Sequence, residues 1–114
     1  DKLFISYSAS ATDENYCMGL LWIDLDADPL NQQNWHKSPR PVFTTSYENR
    51  QFGPGHNSFT QTPEGEDVLV YHARNYTEIE GDPLYDPNRH TRLKLVRWDE
   101  NGMPDFGVPP ADTN

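Results

Sequence analysis

The chain has 114 residues, enough for one small domain with a modest core, and a net charge of −9 from 18 acidic and 9 basic side chains. A nucleic-acid binder would show a basic stripe, and none is present. The longest apolar run, 18–23, is interrupted by Gly19 and is far too short to span a bilayer, so neither nucleic acid nor a membrane is an expected partner.

The chain opens at Asp1 with neither an initiator Met nor a signal peptide, and is therefore read as a processed product or a piece of a longer protein. No stretch carries an apolar stripe at helical spacing. Short β-rich runs are instead punctuated by Pro, Gly, Asn and Asp. The first predicted strand is 3–9. The second is 16–25, closed by the acidic turn Asp26-Ala27-Asp28-Pro29. It contains Cys17, the only cysteine, which rules out an internal disulfide and reads as a small buried hydrophobe. A third strand is predicted over 41–45. Then come 58–62 around Phe59, 68–73 with Leu69 and Tyr71, 91–98 with alternating Leu93 and Leu95, and 105–108 after a Gly-Met-Pro turn. The chain is predicted to be all-β.

The runs repeat, and repeats decide folds. Residues 2–9 align with 67–73; Leu20-Leu21-Trp22-Ile23-Asp24 aligns with Leu95-Val96-Arg97-Trp98-Asp99; Pro41-Val42-Phe43 aligns with Pro104-Asp105-Phe106. The second copy has an extra strand in front, 58–62. That makes one four-stranded unit and three strands of another, as in successive propeller blades. A propeller needs about four blades to close, so the count predicts a fragment: residues 1–45 a partial blade, 46–57 a connecting loop, 58–114 the final blade. The alternative is a self-contained sandwich of about seven strands.

Gly53-Pro54-Gly55-His56-Asn57-Ser58-Phe59 is the most distinctive segment, because two glycines and a proline allow a tight backbone approach before a strand. Together with Tyr71-His72-Ala73-Arg74, Asp86-Pro87-Asn88-Arg89-His90-Thr91-Arg92, Ser6-Tyr7-Ser8-Ala9-Ser10-Ala11-Thr12, Tyr16-Cys17-Met18-Gly19-Leu20-Leu21 and Gly102-Met103-Pro104-Asp105-Phe106-Gly107, it resembles the family 43 glycoside hydrolases, in particular the α-L-arabinofuranosidases. The resemblance implies a five-bladed β-propeller of which this chain is roughly the last two blades, with the upstream blades as its missing partner. It implies a secreted enzyme, extracellular or periplasmic, acting with inversion on arabinose- or xylose-containing oligosaccharides or polysaccharides. β-Xylosidase is the neighbouring activity on the same fold, and a non-catalytic carbohydrate-binding module is the alternative of a different class.

The resemblance places His56 on the propeller axis beneath the sugar site, as a substrate-binding residue and as a ligand of a central calcium, although Ca²⁺ prefers oxygen donors. It makes Arg89 the substrate-contacting arginine, suited to hold two sugar hydroxyls in one plane; a surface pairing with Asp82 or Asp86 is the structural alternative. The carboxylates that hydrolysis needs precede this segment in the family, so no catalytic residue is assigned here. His72 reads as a core histidine, His90 and Arg92 as scaffold, and Trp22, Trp35 and Trp98 as packing residues. The acidic runs 24–28 and 78–82 lack EF-hand spacing and read as solvated turns; Asn75-Tyr76-Thr77 is a glycosylation sequon.

Overall fold

The computed structural model describes residues 1–113. Strands β1 (Lys2–Ala9) and β2 (Cys17–Asp24) pair antiparallel along their whole length, from Lys2↔Asp24 to Ala9↔Cys17, with no register shift. A short β3 (His36–Lys37) adds to the far side of β2. The strand expected over 41–45 is not formed. Only Phe43 makes a bridge there, to Met18, because Pro41 and Pro39 have no N–H to give to a ladder. The Met18 N–H still donates to the Phe43 carbonyl at 3.0 Å, and Val42 N–H to the Met18 carbonyl at 2.8 Å.

The second sheet has the order β4 (Phe52–Gln61), β5 (Asp67–Arg74), β6 (His90–Leu95). Strand β4 begins six residues before the predicted start at Ser58, so residues 52–57 belong to the strand and not to the expected connecting loop. The alternation that reveals a strand in sequence is missing there, because the ladder with β5 slips twice, between Phe52 and Gly55 and again between Gly55 and Ser58. The run expected over 91–98 is likewise two pieces. It breaks at Val96, whose buried side chain turns into the core while its N–H holds the Asp67 carbonyl at 2.9 Å. The chain continues as β7 (Arg97–Trp98), which pairs with β8 (Pro104–Asp105), shorter than the predicted 105–108. The expected single four-stranded sheet is therefore a three-stranded sheet followed by a two-stranded ribbon, in the expected chain order.

One core serves both sheets. Met18, Leu20 and Phe43 come from the first unit, and Leu69, Tyr71, Ala73, Val96 and Phe106 from the second, with Phe4 packed against them. Phe43 meets Tyr71 edge-on, with ring centroids 4.9 Å apart and an interplanar angle of 85°. Full burial of each large apolar side chain stabilises by about 1.5–3 kcal/mol. Cys17 is buried, as expected of a small hydrophobe. The opposite faces are not covered: Leu3 and Ile5 of β1 and Leu93 and Leu95 of β6 are all exposed, the last two standing across from Val70 and Val68.

At Gly53 the backbone is left-handed (φ 65°), and an added Cβ would lie 2.3 Å from the Asp13 carbonyl oxygen. Gly65 is also left-handed (φ 86°), but a Cβ there meets nothing within 4 Å. We expect Gly65→Ala to cost only the conformational term, about 1–2 kcal/mol, and Gly53→Ala to cost clearly more, since a backbone atom must also move. Urea unfolding of the two variants side by side checks this; equal losses would mean that the Asp13 turn yields freely.

Candidate functional site

The Gly53-Pro54-Gly55 run lets β4 approach the loop before β2 as no other residues could. An added Cβ on Gly55 would sit 2.2 Å from the Tyr16 ring, so the absence of a side chain is what lets that ring lie over β4. Gly55 stands opposite His72 in the ladder. The Tyr16 ring therefore also stacks on the His72 imidazole, at 5.7 Å and an interplanar angle of 13°. His72 in turn stands 5.7 Å from the His56 ring, at 27°.

His56 takes a left-handed backbone conformation (φ 54°) and exposes its side chain. Two serines of β1 hold it there. His56 N–H donates to Ser8 Oγ at 2.8 Å, Asn57 Nδ2 donates to the same oxygen at 3.2 Å, and Ser6 Oγ donates to Asn57 Oδ1. The first sheet thus positions a residue of the second.

His72 is not the satisfied core histidine expected. It is half-buried, and its Nδ1 is shielded from solvent with no hydrogen-bond partner. Burial above all, then the positive charges of Arg89, His56 and, more weakly, Arg74, push its pKa down to about 4. The imidazole is therefore neutral near pH 7, with one nitrogen free to bond. The signal available in the sequence was the pairing of a histidine with a Gly-Pro-Gly segment, but which residue of that segment faces it depends on the two register slips.

Arg89, in the loop before β6, acts on the same imidazole through its charge, one of the influences that lower the His72 pKa, while the His56 ring stands beside that imidazole. Arg89 does not pair with Asp82 or Asp86. Its Nη2 donates to the Leu84 carbonyl at 3.0 Å, and it has no carboxylate partner among the described residues. Asp82 instead caps the 3₁₀ turn Pro83–Tyr85 by accepting from Leu84 N–H at 3.0 Å. Arg92 is tied to Asp112, Ala73 and Asn75, and exposed His90 opens β6.

The other sequence features lie apart from this cluster in what they touch. Trp22 stacks on His36, Trp35 donates to the Pro29 carbonyl at 2.9 Å, and Trp98 donates to Asp67 at 2.8 Å. A cavity of about 210 Å³ between the sheets is lined by Phe4, Leu20, Phe59, Trp98, Phe106 and Asp67, and by neither His56 nor Arg89. The sequon amide of Asn75 is engaged, donating to Arg50 O at 3.2 Å and Asp112 Oδ2 at 2.8 Å. Among the described residues no three His, Cys, Asp or Glu side chains gather as a metal site.

The sequence profile of the glycosyl hydrolases family 43 matches residues 1–104. The chain belongs to that family. Over 112 residues it is 58% identical to the extracellular exo-α-(1→5)-L-arabinofuranosidase of Streptomyces avermitilis and 52% identical to α-L-arabinofuranosidase 43 of Humicola insolens; each match takes in 97% of this chain and 23% of the relative. The crystal structure of an α-L-arabinofuranosidase from Lactobacillus brevis superposes with a TM-score of 0.94 at 55% identity, covering 99% of this chain and 35% of that one. This family 43 chain thus spans about a quarter of the length of the curated relatives it matches. Membership of the family sets aside the self-contained sandwich.

The depressed pKa of His72 has a pH consequence with a definite sign. Above about 6.5, the ordinary value, the imidazole is neutral in both the folded and the unfolded chain and contributes no pH dependence. As pH falls from there toward about 4, the unfolded chain takes up a proton that the folded one refuses, and stability falls. Asp67, held low by hydrogen bonds from Gln61 and Trp98, and Asp86, held low by Tyr76, lose their contributions only below the ordinary carboxylate range, so the windows separate. We expect His72→Gln to flatten the stability profile between pH 6.5 and 4, as measured by thermal unfolding across that range; an unchanged slope would assign the proton elsewhere.

Proposed function

We propose that the full-length protein is a secreted α-L-arabinofuranosidase, extracellular or periplasmic, that removes arabinose from arabinose-containing polysaccharides. In this reading the present chain is roughly the last two blades of a five-bladed propeller, and His56 and Arg89 orient the sugar. The observation that carries it is the placing of the His56 and His72 rings 5.7 Å apart where β4 meets β5, with the charge of Arg89 acting on His72, in a chain 52–58% identical to named arabinofuranosidases. Support for the missing blades comes from the two uncovered apolar faces, Leu3 with Ile5 and Leu93 with Leu95, which neighbouring sheets would bury. Secretion is supported by the word extracellular in a relative's name, and no helix among the described residues is long and apolar enough to cross a membrane.

The chemistry of the cluster is that of orientation. Arg89 keeps a planar, always-charged guanidinium with no carboxylate partner among the described residues, so its remaining N–H groups can donate to sugar hydroxyls. His72 is neutral and can accept a hydroxyl proton in a hydrogen bond or donate one from its other nitrogen, according to tautomer. Hydrolysis itself takes two carboxyl groups across the scissile bond, and we assign none of this chain's acids to that work. Calcium belongs to the same proposal at His56 alone. With no cluster of three candidate ligands among the described residues, and two arginines near His72, the donors of this chain do not by themselves make the oxygen cage that Ca²⁺ prefers. Further oxygen ligands would have to come from water or from other blades.

In the full-length enzyme, Arg89→Ala should lower kcat/KM on aryl arabinofuranosides roughly 10- to 100-fold, as for one lost charged hydrogen-bond donor, with little change in Tm. An unaltered kcat/KM would return Arg89 to the role of a loop residue. The 114-residue chain by itself should release no arabinose above background, because a missing general acid and base each forfeit ~10²–10⁴-fold; robust release would show that the catalytic residues are here and were misplaced.

A further inference from the structure

Arg74 ends β5 and is only 2% exposed, yet no part of the sugar-orienting reading uses it. Its guanidinium reaches three acceptors on two separate segments. Nε pairs with Asp86 Oδ1 at 3.2 Å, Nη2 donates to the Pro83 carbonyl at 2.6 Å, and Nη1 donates to the Thr12 carbonyl in the loop between β1 and β2. Asp86 is held from other sides as well. The Tyr76 hydroxyl donates to its carboxylate at 2.7–2.8 Å, and Asn88 N–H donates to it at 3.0 Å. Asn88 Nδ2 returns to the Tyr76 oxygen at 3.0 Å.

These contacts end on the residue that matters for sugar binding. Arg89 follows Asn88 directly, and its guanidinium rests on the Leu84 carbonyl, inside the turn whose Pro83 carbonyl Arg74 holds. The turn is already closed locally by the Asp82 cap, so a buried arginine is not needed to form it. A buried charge is tolerated only where each of its N–H groups finds an acceptor, and here the acceptors fix the turn against β5 and against the first sheet at once.

We propose that Arg74, with Asp86 and Tyr76, is a positioning unit that sets the direction of the Arg89 guanidinium toward the sugar. The proposal rests on the reading of Arg89 as a sugar-binding residue. It makes the 83–89 loop a rigid bracket, and it makes the network part of substrate affinity as well as of the fold.

Arg74→Lys leaves up to two of the three acceptors unpaired in a buried place and endangers folding, so the test uses Tyr76→Phe, which keeps the ring and removes the hydroxyl. In the full-length enzyme, kinetics on an aryl α-L-arabinofuranoside should show kcat/KM lowered roughly 3- to 10-fold, less than the full loss of a hydrogen bond to a charged group because Tyr76 acts only through Arg89, mainly through KM. In the Arg89→Ala background the same change should alter kcat/KM by less than about 2-fold, because the residue through which Tyr76 acts is gone. A purely structural tie would give the same loss in both backgrounds, and that result overturns the proposal, as does no loss from Tyr76→Phe while Arg89 is intact. Should Arg89→Ala alone leave kcat/KM unchanged, the sugar-binding reading fails first and the positioning role falls with it.

Discussion

Everything in this molecule hangs on one packed layer between two thin sheets. Three-stranded sheets of this length cannot bury a face alone. Here Met18, Leu20 and Phe43 meet Leu69, Tyr71 and Ala73 across a shared core, and the Phe43 ring stands edge-on to Tyr71. The same approach brings β1 beside β4, where Ser6 and Ser8 take hold of His56 and Asn57. The direction of His56 is thus a consequence of core packing in two elements that are far apart in sequence. A change that loosens Phe43 or Tyr71 acts on the site without touching it.

Local charge at the site runs against the charge of the whole. The chain carries a net −9, yet the charges of Arg89, His56 and Arg74 all act on the one neutral imidazole of His72. Solvated acidic turns elsewhere set the overall balance and govern solubility. Arg74 sits inside, with three acceptors on two segments, and Arg89 outside, with donors to spare. The two arginines show how one residue type serves as a buried brace or as a free hand, depending on what surrounds it.

Close approach is the second constraint. Without a Cβ at Gly55 the Tyr16 ring lies flat on β4 and stacks on His72. A side chain there would push the ring away and break its stacking on His72. The irregular ladder of β4, with two slips in a few residues, lets the strand turn its His56 outward while its first residues stay buried.

Much of this was legible in the chain itself. Short β-rich runs between turn residues gave an all-β chain and the repeat gave two units in order, because spacing and turn chemistry are local properties; it was the resemblance to family 43 that singled out His56 and Arg89. Three things were not. The early start of β4 was hidden because bulges erase alternation. The break at Val96 followed from which residue the core pulled inward. His72 looked like core because its neighbours in sequence are apolar, whereas its partners Tyr16, His56 and Arg89 come from three other segments. Sequence alone determined the β class, the order of the two units and most of the strands; only tertiary packing decided which side chains meet, since a stacked ring and a shielded nitrogen exist only between segments that the core has brought together.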